Sequence, residues 1–213
     1  MALLPLPNIV KRLRPHRIPF RHFSQRSAVA IITRQGKYGE EILFIERATR
    51  TGDPWSGHIA FPGGKSQESD TSIRTTAIRE TEEEIGLDLV TQAHFIGRSQ
   101  DLITRRHNAL KPMIVTPYRF RITDPDCVMT PNHEVASTVW IPVSFFRNKN
   151  NQSTLTWKPL PNFPSLSLEL PCFYYEEYYK EGYIKHCIWG LTYQMLIDHL
   201  DVSSPDTFKS TEK

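Results

Sequence analysis

Glu80, Glu83 and Glu84 fall in the run Arg79-Glu80-Thr81-Glu82-Glu83-Glu84-Ile85-Gly86. At 3.6 residues per turn these three carboxylates lie within about 100° of one another on one helical face. Such a face works against its own helix. Glu80 and Glu84 are a like-charge i,i+4 pair, and the acids crowd the C-terminal end, where the macrodipole favours cations. A solvated acidic surface is the plainer account of an isolated glutamate triplet. The surroundings argue against it here. Pro62-Gly63-Gly64 ahead of the helix can turn tightly and lie close to a ligand, Ala77, Ile78 and Ile85 form an apolar stripe, and Arg79 stands beside the acids. A bound divalent cation would relieve the repulsion, and hard oxygen ligands in this number suit Mg²⁺ or Mn²⁺.

The helix that carries these acids is expected to begin at about Asp70 or Thr71, with Asp70 as its N-cap. Gly86 is placed to end it in a left-handed conformation, with Leu87 folding back onto it.

The stretch from Phe61 to Leu87 resembles the signature of the Nudix hydrolases: a glycine, an acid, then Arg-Glu-x-x-Glu-Glu-x-Gly and an aliphatic residue. Gly64, Asp70, Arg79-Glu80, Glu83-Glu84, Gly86 and Leu87 stand in those places. There are three departures. The acid is Asp70 in place of Glu, the interval from Asp70 to Arg79 is one residue longer than usual, and Thr81 replaces an aliphatic residue. The longer interval and the preceding FPGG are similar to the branch that includes coenzyme A diphosphatases, as is IWGLT near the C-terminus. That branch usually leads into FPGG with Arg-x-His-x-Gly. Here Asp53 and Trp55 take the Arg and His positions, which sets coenzyme A itself apart from the diphosphate chemistry.

The resemblance implies an α/β/α sandwich with a mixed sheet. It also implies roles. Glu80 and Glu84 become the principal metal ligands, with the carbonyl of Gly63 or Gly64 completing the coordination. Glu83 binds a second metal or orients the attacking water. Arg79 pairs with a glutamate and fixes its rotamer. Some Nudix enzymes take their general base from a later loop, and Glu134 in NHEVAS is the candidate for that position; a surface or capping role is the ordinary alternative. His133 beside it reads as exposed.

For the substrate, cations and stacking surfaces matter. Arg105, Arg106 and His107 form a basic cluster in what reads as a loop after Asp101, suited to outer phosphates or simply solvated. Arg47 and Lys111 are further candidates. Trp55, just ahead of the glycines, could stack on a base or pack in its loop. The implied activity is Mg²⁺- or Mn²⁺-dependent cleavage of the diphosphate bond of a nucleoside diphosphate linked to another group, such as coenzyme A or a derivative. Alternatives are the same chemistry on NADH, ADP-ribose, a dinucleoside polyphosphate or an oxidised nucleoside triphosphate, or a non-catalytic nucleotide-binding module.

The elements that must position these groups follow from pattern. Ala28 to Thr33 is a near-continuous apolar run and reads as a buried central strand. Gln35-Gly36 turns into a second strand over Glu41 to Arg47, and His58 to Phe61 is a short strand leading to the glycines. Further strands are expected at His94 to Arg98, Met113 to Ile122, Ser137 to Val143 and Leu168 to Tyr174. Pro117 places the second of these at an edge or a bulge. Asn148 to Gln152 reads as a turn and the proline-rich stretch to Ser167 as irregular. Ile188 to Leu200 has helical apolar spacing and closes the chain.

The 213 residues suit one domain over 27–200, between a basic segment, 1–26, and a polar tail, 201–213. Six Lys and Arg fall within the first 26 residues and no acid precedes Glu40, a pattern compatible with a mitochondrial presequence. Prolines at 5, 7, 15 and 19 interrupt a long amphipathic helix, so a short packed helix in a cytoplasmic protein is the first reading. A net charge of +3 makes no demand for nucleic acid, and no apolar run approaches the roughly 20 residues of a membrane span. Cys127, Cys172 and Cys187 make no metal-binding spacing and suggest a reducing compartment. The expected partner is a small-molecule nucleotide, and a homodimer is allowed.

Overall fold

The computed structural model describes residues 11–13, 25–52, 55–105, 112–157, 167–180 and 182–202, with only the backbone of 11–13, Arg105 and Val202. The expected basic segment therefore lies largely, and the polar tail almost wholly, outside the described residues, as do Asp53, Arg106, His107 and Lys111.

Strand β1 is Lys11–Leu13. The centre of the main sheet is the parallel pair of β2 (Gln25–Gly36) and β8 (Pro112–Ile122), in register from Gln25 opposite Met113 to Thr33 opposite Arg121. Everything else in the sheet is antiparallel: β3 (Gly39–Arg47), β4 (Ile59–Ala60), β5 (Gly63–Lys65), β6 (Ala93–Arg98), β7 (Asp101–Arg105) and β9 (Val135–Pro142). The sheet is mixed, as expected. Alternation along β2 supplies both faces. Ala28, Ala30 and Ile32 point to one side with Leu43, Ile45 and Phe120, and helix α1 (Ile73–Ile85) closes that side through Ala77 and Ile85. Ile31 points to the other with Phe44, Phe61 and Ile141.

That second side is covered by α2 (Val143–Arg147), by α3 (Gly190–Val202), and by a separate three-stranded sheet of β10 (Gln152–Trp157), β11 (Leu168–Tyr179) and β12 (Gly182–Trp189). Aromatic contacts tie these layers together. Phe44 meets Phe146 at 5.8 Å, Phe146 meets Phe173 at 5.2 Å, and Phe173 meets Tyr193 at 5.4 Å between ring centroids.

The feature that positions the site is a split in the main sheet. β3 lies beside β2 only from Gly39 to Ile42, while farther along it pairs with β4 at Ile45 and Glu46. β5 pairs instead with Ser27, Ala28 and Val29 of β2. The chain from Ile59 to Lys65 therefore crosses from one strand to the other at Phe61-Pro62. Pro62 suits the crossing: it has no N–H to satisfy, and its carbonyl accepts from Ala30 N at 2.8 Å.

Several expectations change. Gly63 and Gly64, read as a tight turn, form β5 with Lys65. Asp101–Arg105 is strand β7, so Arg105 ends a strand where a loop was expected. Pro117 is in a central strand, opposite Val29 on β2. It is tolerated because the other edge of β8 changes partner there: β7 pairs with residues 112–115 and β6 with 118–122. The stretch after Asn151 contains β10. Ile188 and Trp189 end β12, and the closing helix starts at Gly190.

Candidate functional site

Helix α1 is capped by Ser72, whose Oγ accepts from Thr75 N at 3.1 Å. Asp70 is not the cap. Its carboxylate accepts from Arg79 Nε at 2.9 Å, from a second Arg79 nitrogen at 3.1 Å, from Thr76 Oγ1 at 2.8 Å and from Gln67 N at 2.9 Å. The pair with Arg79 holds the Asp70 carboxyl well below the usual carboxylate range. Arg79 also reaches Glu80 and Glu83, each at 3.0 Å, and donates to the Lys65 carbonyl at 3.1 Å. The arginine thus ties the loop before the helix to two of the acids on it.

Because the folded pKa of Asp70 is lowered, its stabilising contribution is present above its ordinary value and is lost as pH falls through the folded one. Asp70→Asn is expected to cost about 2–4 kcal/mol at pH 7, since it leaves a largely buried guanidinium short of its main partner. The difference from the unaltered protein should shrink by pH 2–3. Urea unfolding at both pH values measures it, and an equal loss at each would remove the ion pair from the account.

Glu84 is 3 % exposed and accepts from the backbone N–H of Gly63 at 2.8 Å. Burial pushes its pKa up to about 8, against the pull of that hydrogen bond and of Arg47 at the end of β3. Glu80 is half-buried, and burial raises it too, against Arg79. Its carboxylate lies where a Cβ on Gly64 would stand, 2.4 Å from the carboxylate carbon. Glu83 is exposed on its side-chain end at 53 %. Thr81, the departure from an aliphatic residue, is fully buried and returns its hydroxyl to the Ala77 carbonyl at 2.7 Å. Gly86 is left-handed (φ 68°) and Leu87 is buried, as expected.

The C-terminal carbonyls of α1 need partners. The segment at 130–134 provides them. Thr130 N donates to Ile85 O, Asn132 N to Glu84 O and Asn132 Nδ2 to Glu83 O, at 2.7, 2.9 and 2.7 Å. This docking brings Glu134 close enough for its charge to raise the pKa of both Glu80 and Glu84. Glu134 pairs with Arg50 at 3.2 Å, and a second Arg50 nitrogen donates to the His133 carbonyl at 3.3 Å. His133 is exposed. Arg50 was not anticipated. Its partner is 84 residues away, and no local spacing announces it. Trp55 is 37 % exposed beside His58.

The structure thus brings together Arg79, Glu80, Glu83, Glu84, Gly64, Arg47 and Glu134. Of the basic cluster only the backbone of Arg105 is described. The buried carboxylate of Glu84, whose pKa the charge of half-buried Glu80 helps to raise, and Glu80 itself face backbone at Gly63-Gly64 and form an all-oxygen donor set. Among the described residues no three acidic, His or Cys side chains already converge as a closed cage. Mg²⁺ is commonly bound through one or two carboxylates, with waters and substrate phosphates completing its shell, so the residues fit such an ion.

A NUDIX domain is matched over residues 24–162. The chain belongs to the Nudix family. Nudix hydrolase 22 (chloroplastic) of Arabidopsis thaliana is 28% identical over 182 residues, which cover 84% of this chain and 55% of that protein. The human mitochondrial coenzyme A diphosphatase NUDT8 is 26% identical over 79% of this chain and 65% of its own. The peroxisomal coenzyme A diphosphatase 1 of Saccharomyces cerevisiae is 36% identical over 52% and 37%. This Nudix chain therefore spans between about a third and two thirds of these relatives. A solved Ap4A hydrolase binary complex from C. elegans aligns at a TM-score of 0.47 with 22% identity, over 55% of this chain and 79% of that one.

Proposed function

We propose that this chain hydrolyses the diphosphate bond of a nucleoside diphosphate linked to another group, with coenzyme A or a derivative as the first candidate substrate. The observation that carries the reading is Glu84: a carboxylate buried to 3 % exposure at the crossing of two strands, with Glu80 beside it against Gly64. Its carboxylate accepts the Gly63 N–H at 2.8 Å, while Glu80 and Glu134 add negative charge around it, and a divalent cation would offset that repulsion.

Glu80 and Glu84 are the groups that would hold Mg²⁺ or Mn²⁺, with the Gly64 carbonyl as a further oxygen. When bound, such an ion would neutralise charge on the phosphate oxygens and make water a better nucleophile. Arg79 holds Glu80 and Glu83 in place through its two 3.0 Å contacts. Glu134 is the candidate to take the proton of the attacking water, with Glu83 as the alternative. Arg50 sets the position of Glu134. Arg47 would meet a substrate phosphate, with Arg105, Arg106 and Lys111 as further candidates.

Names of relatives support the coenzyme A candidate, since two are coenzyme A diphosphatases. Asp53 and Trp55 in the lead to FPGG count against it. A cytoplasmic location with a mitochondrial alternative, and a homodimer, remain part of the proposal. No helix among the described residues is long and apolar enough to cross a membrane.

The test is a hydrolysis screen in Mg²⁺ and in Mn²⁺, with products identified by mass. The panel holds coenzyme A, an acyl-coenzyme A, NADH, ADP-ribose, a dinucleoside polyphosphate and nucleoside triphosphates. Release of 3′,5′-adenosine diphosphate from coenzyme A is the expected result. Preference for another member keeps the chemistry and moves the substrate. Silence across the panel with nucleotide binding intact would make the chain a binding module.

A further inference from the structure

The last carbonyls of a helix need donors from outside it. At the end of α1 the carbonyls of Glu83, Glu84 and Ile85 find them in one short segment, and Asn132 alone serves two of the three. Its backbone N–H goes to Glu84 O at 2.9 Å and its side-chain Nδ2 to Glu83 O at 2.7 Å. The other end of the same amide is used as well. Asn132 Oδ1 accepts from the backbone N–H of Glu134 at 2.7 Å, an Asx turn that fixes the chain two residues on. Val135 N closes the turn again by donating to the Asn132 carbonyl at 3.2 Å. The orientation of the amide follows from its partners: a carbonyl at one end calls for its nitrogen, and an N–H at the other for its oxygen.

The segment lies directly on the helix end. A Cβ on Gly86 would stand 3.4 Å from Thr130 Cβ. Asn132 is half-buried between exposed Pro131 and His133. Glu134 in turn is held at three points: its N–H by Asn132, its carbonyl by Ala48 N at 2.8 Å, and its carboxylate by Arg50 at 3.2 Å. Its charge is felt by both Glu80 and Glu84. A segment that only capped the helix would need to supply donors and nothing else. Here the capping side chain turns its acceptor to the residue that presents a carboxylate toward the acids of the same helix.

We infer that Asn132 is a positioning residue for hydrolysis: its one side chain fixes Glu134 relative to Glu83 and Glu84, by binding both the helix end that carries them and the turn that presents it. The inference rests on the proposed function for the role of Glu134, and on the hydrogen bonds alone for the fixing of its place. The task needs a donor and an acceptor on one short arm. Aspartate would keep the acceptor, lose the donor and set an anion against the Glu83 carbonyl. Serine has a single hydroxyl, suited to the turn toward Glu134 N and not to both partners at once. Glutamine has both polar atoms on an arm one methylene longer.

Amide hydrogen exchange followed by NMR tests the fixing of Glu134, and steady-state kinetics its consequence. In Asn132→Ala the Glu134 N–H loses its acceptor and should exchange about 5- to 10-fold faster, with most of the protection restored in Asn132→Ser. On the substrate that the screen identifies, Asn132→Ala should lower kcat about 10- to 100-fold and leave KM within about threefold. Asn132→Ser should stay within about fivefold of the unaltered chain. Asn132→Gln should also lose about tenfold or more in kcat, and it replaces alanine if that protein does not fold. In a Glu134→Gln background, adding Asn132→Ala should change kcat by less than about threefold, because both changes act through one carboxylate. Fully additive losses would overturn the inference and route the effect of Asn132 through the helix end instead. Unchanged exchange at Glu134 in a folded Asn132→Ala protein would overturn it too. Full turnover by Glu134→Gln would do the same while leaving the hydrolase reading in place. If the unaltered chain turns over no substrate, the hydrolase reading fails and the catalytic consequence with it, while the exchange rates still decide whether Asn132 holds Glu134.

Discussion

Glu84→Gln is expected to lower metal-dependent turnover by about 10³-fold or more and, in chelator at pH 8–9, to make the protein more stable. The two effects share one cause. Glu84 is 3 % exposed, and burial raises its pKa from 4.5 to about 8. Between those values the folded protein holds a proton that the unfolded chain has released. Stability therefore falls as pH rises through this window, and the favourable contribution is complete only below about 4.5. The full shift bounds the loss at roughly 5 kcal/mol. Glutamine keeps an oxygen for the Gly63 N–H and has no charge to bury, so it should remove the slope. Its advantage in melting temperature should be near zero at pH 5 and grow to several degrees at pH 8–9. Mg²⁺ should reverse the order, stabilising the unaltered protein by mass action and leaving the variant unmoved. Thermal melts over pH 5–9, with and without Mg²⁺, measure all of this. If the variant keeps the pH slope, the slope belongs to another group. If Mg²⁺ raises both melting temperatures alike, Glu84 is not where the ion acts.

What could be read from the chain and what could not divides by distance along it. Glu80, Glu83, Glu84, Gly86 and Leu87 are fixed by local rules of helical period and capping, and they stand where those rules put them. β2 and β3 are long apolar runs with a short turn, again a local signal. Asp70 satisfied the local rule for a cap, yet a guanidinium nine residues away offers its carboxylate more than a helix N-terminus does, and Ser72 takes the cap. Pro117 obeyed a sound rule about edges. The rule fails because two separate strands, β6 and β7, share one edge of β8 and change over at that residue, which no pattern within 112–122 records. β10 and β12 are short strands whose exposed residues break the apolar alternation. They pair with β11 on either side, and β11 is anchored by Phe173 against Phe146 and Tyr193. The pairing of Arg50 with Glu134 is a product of the closed fold. A capping interaction at the end of α1 and the split between β2 and β3 produce it.

Gly63→Ala and Gly64→Ala should separate stability from chemistry at neighbouring positions. Gly63 has φ 152°, a value that side-chain-bearing residues rarely adopt, and an added Cβ would stand 2.3 Å from the Ala28 carbonyl oxygen and 2.6 Å from Val29 Cα. Both are backbone atoms of β2, held between β8 and β5, so neither can yield without moving the centre of the sheet. Overpacking with added backbone strain predicts a loss of about 3–5 kcal/mol, of the order of 10 °C in melting temperature. Gly64 is different. The atoms nearest its added Cβ would be the carboxylate of Glu80, at 2.4 to 2.5 Å, which is the end of a flexible side chain. The chain can relieve that contact by turning Glu80 away, at the expense of the oxygen donors that face the crossing. Gly64→Ala should therefore fold with a melting temperature within a few degrees of the unaltered protein, and lose turnover together with the Mg²⁺-induced rise in melting temperature. Full activity in a well-folded Gly64→Ala protein would show that Glu80 can leave its place without consequence, and would remove it from the metal-binding pair.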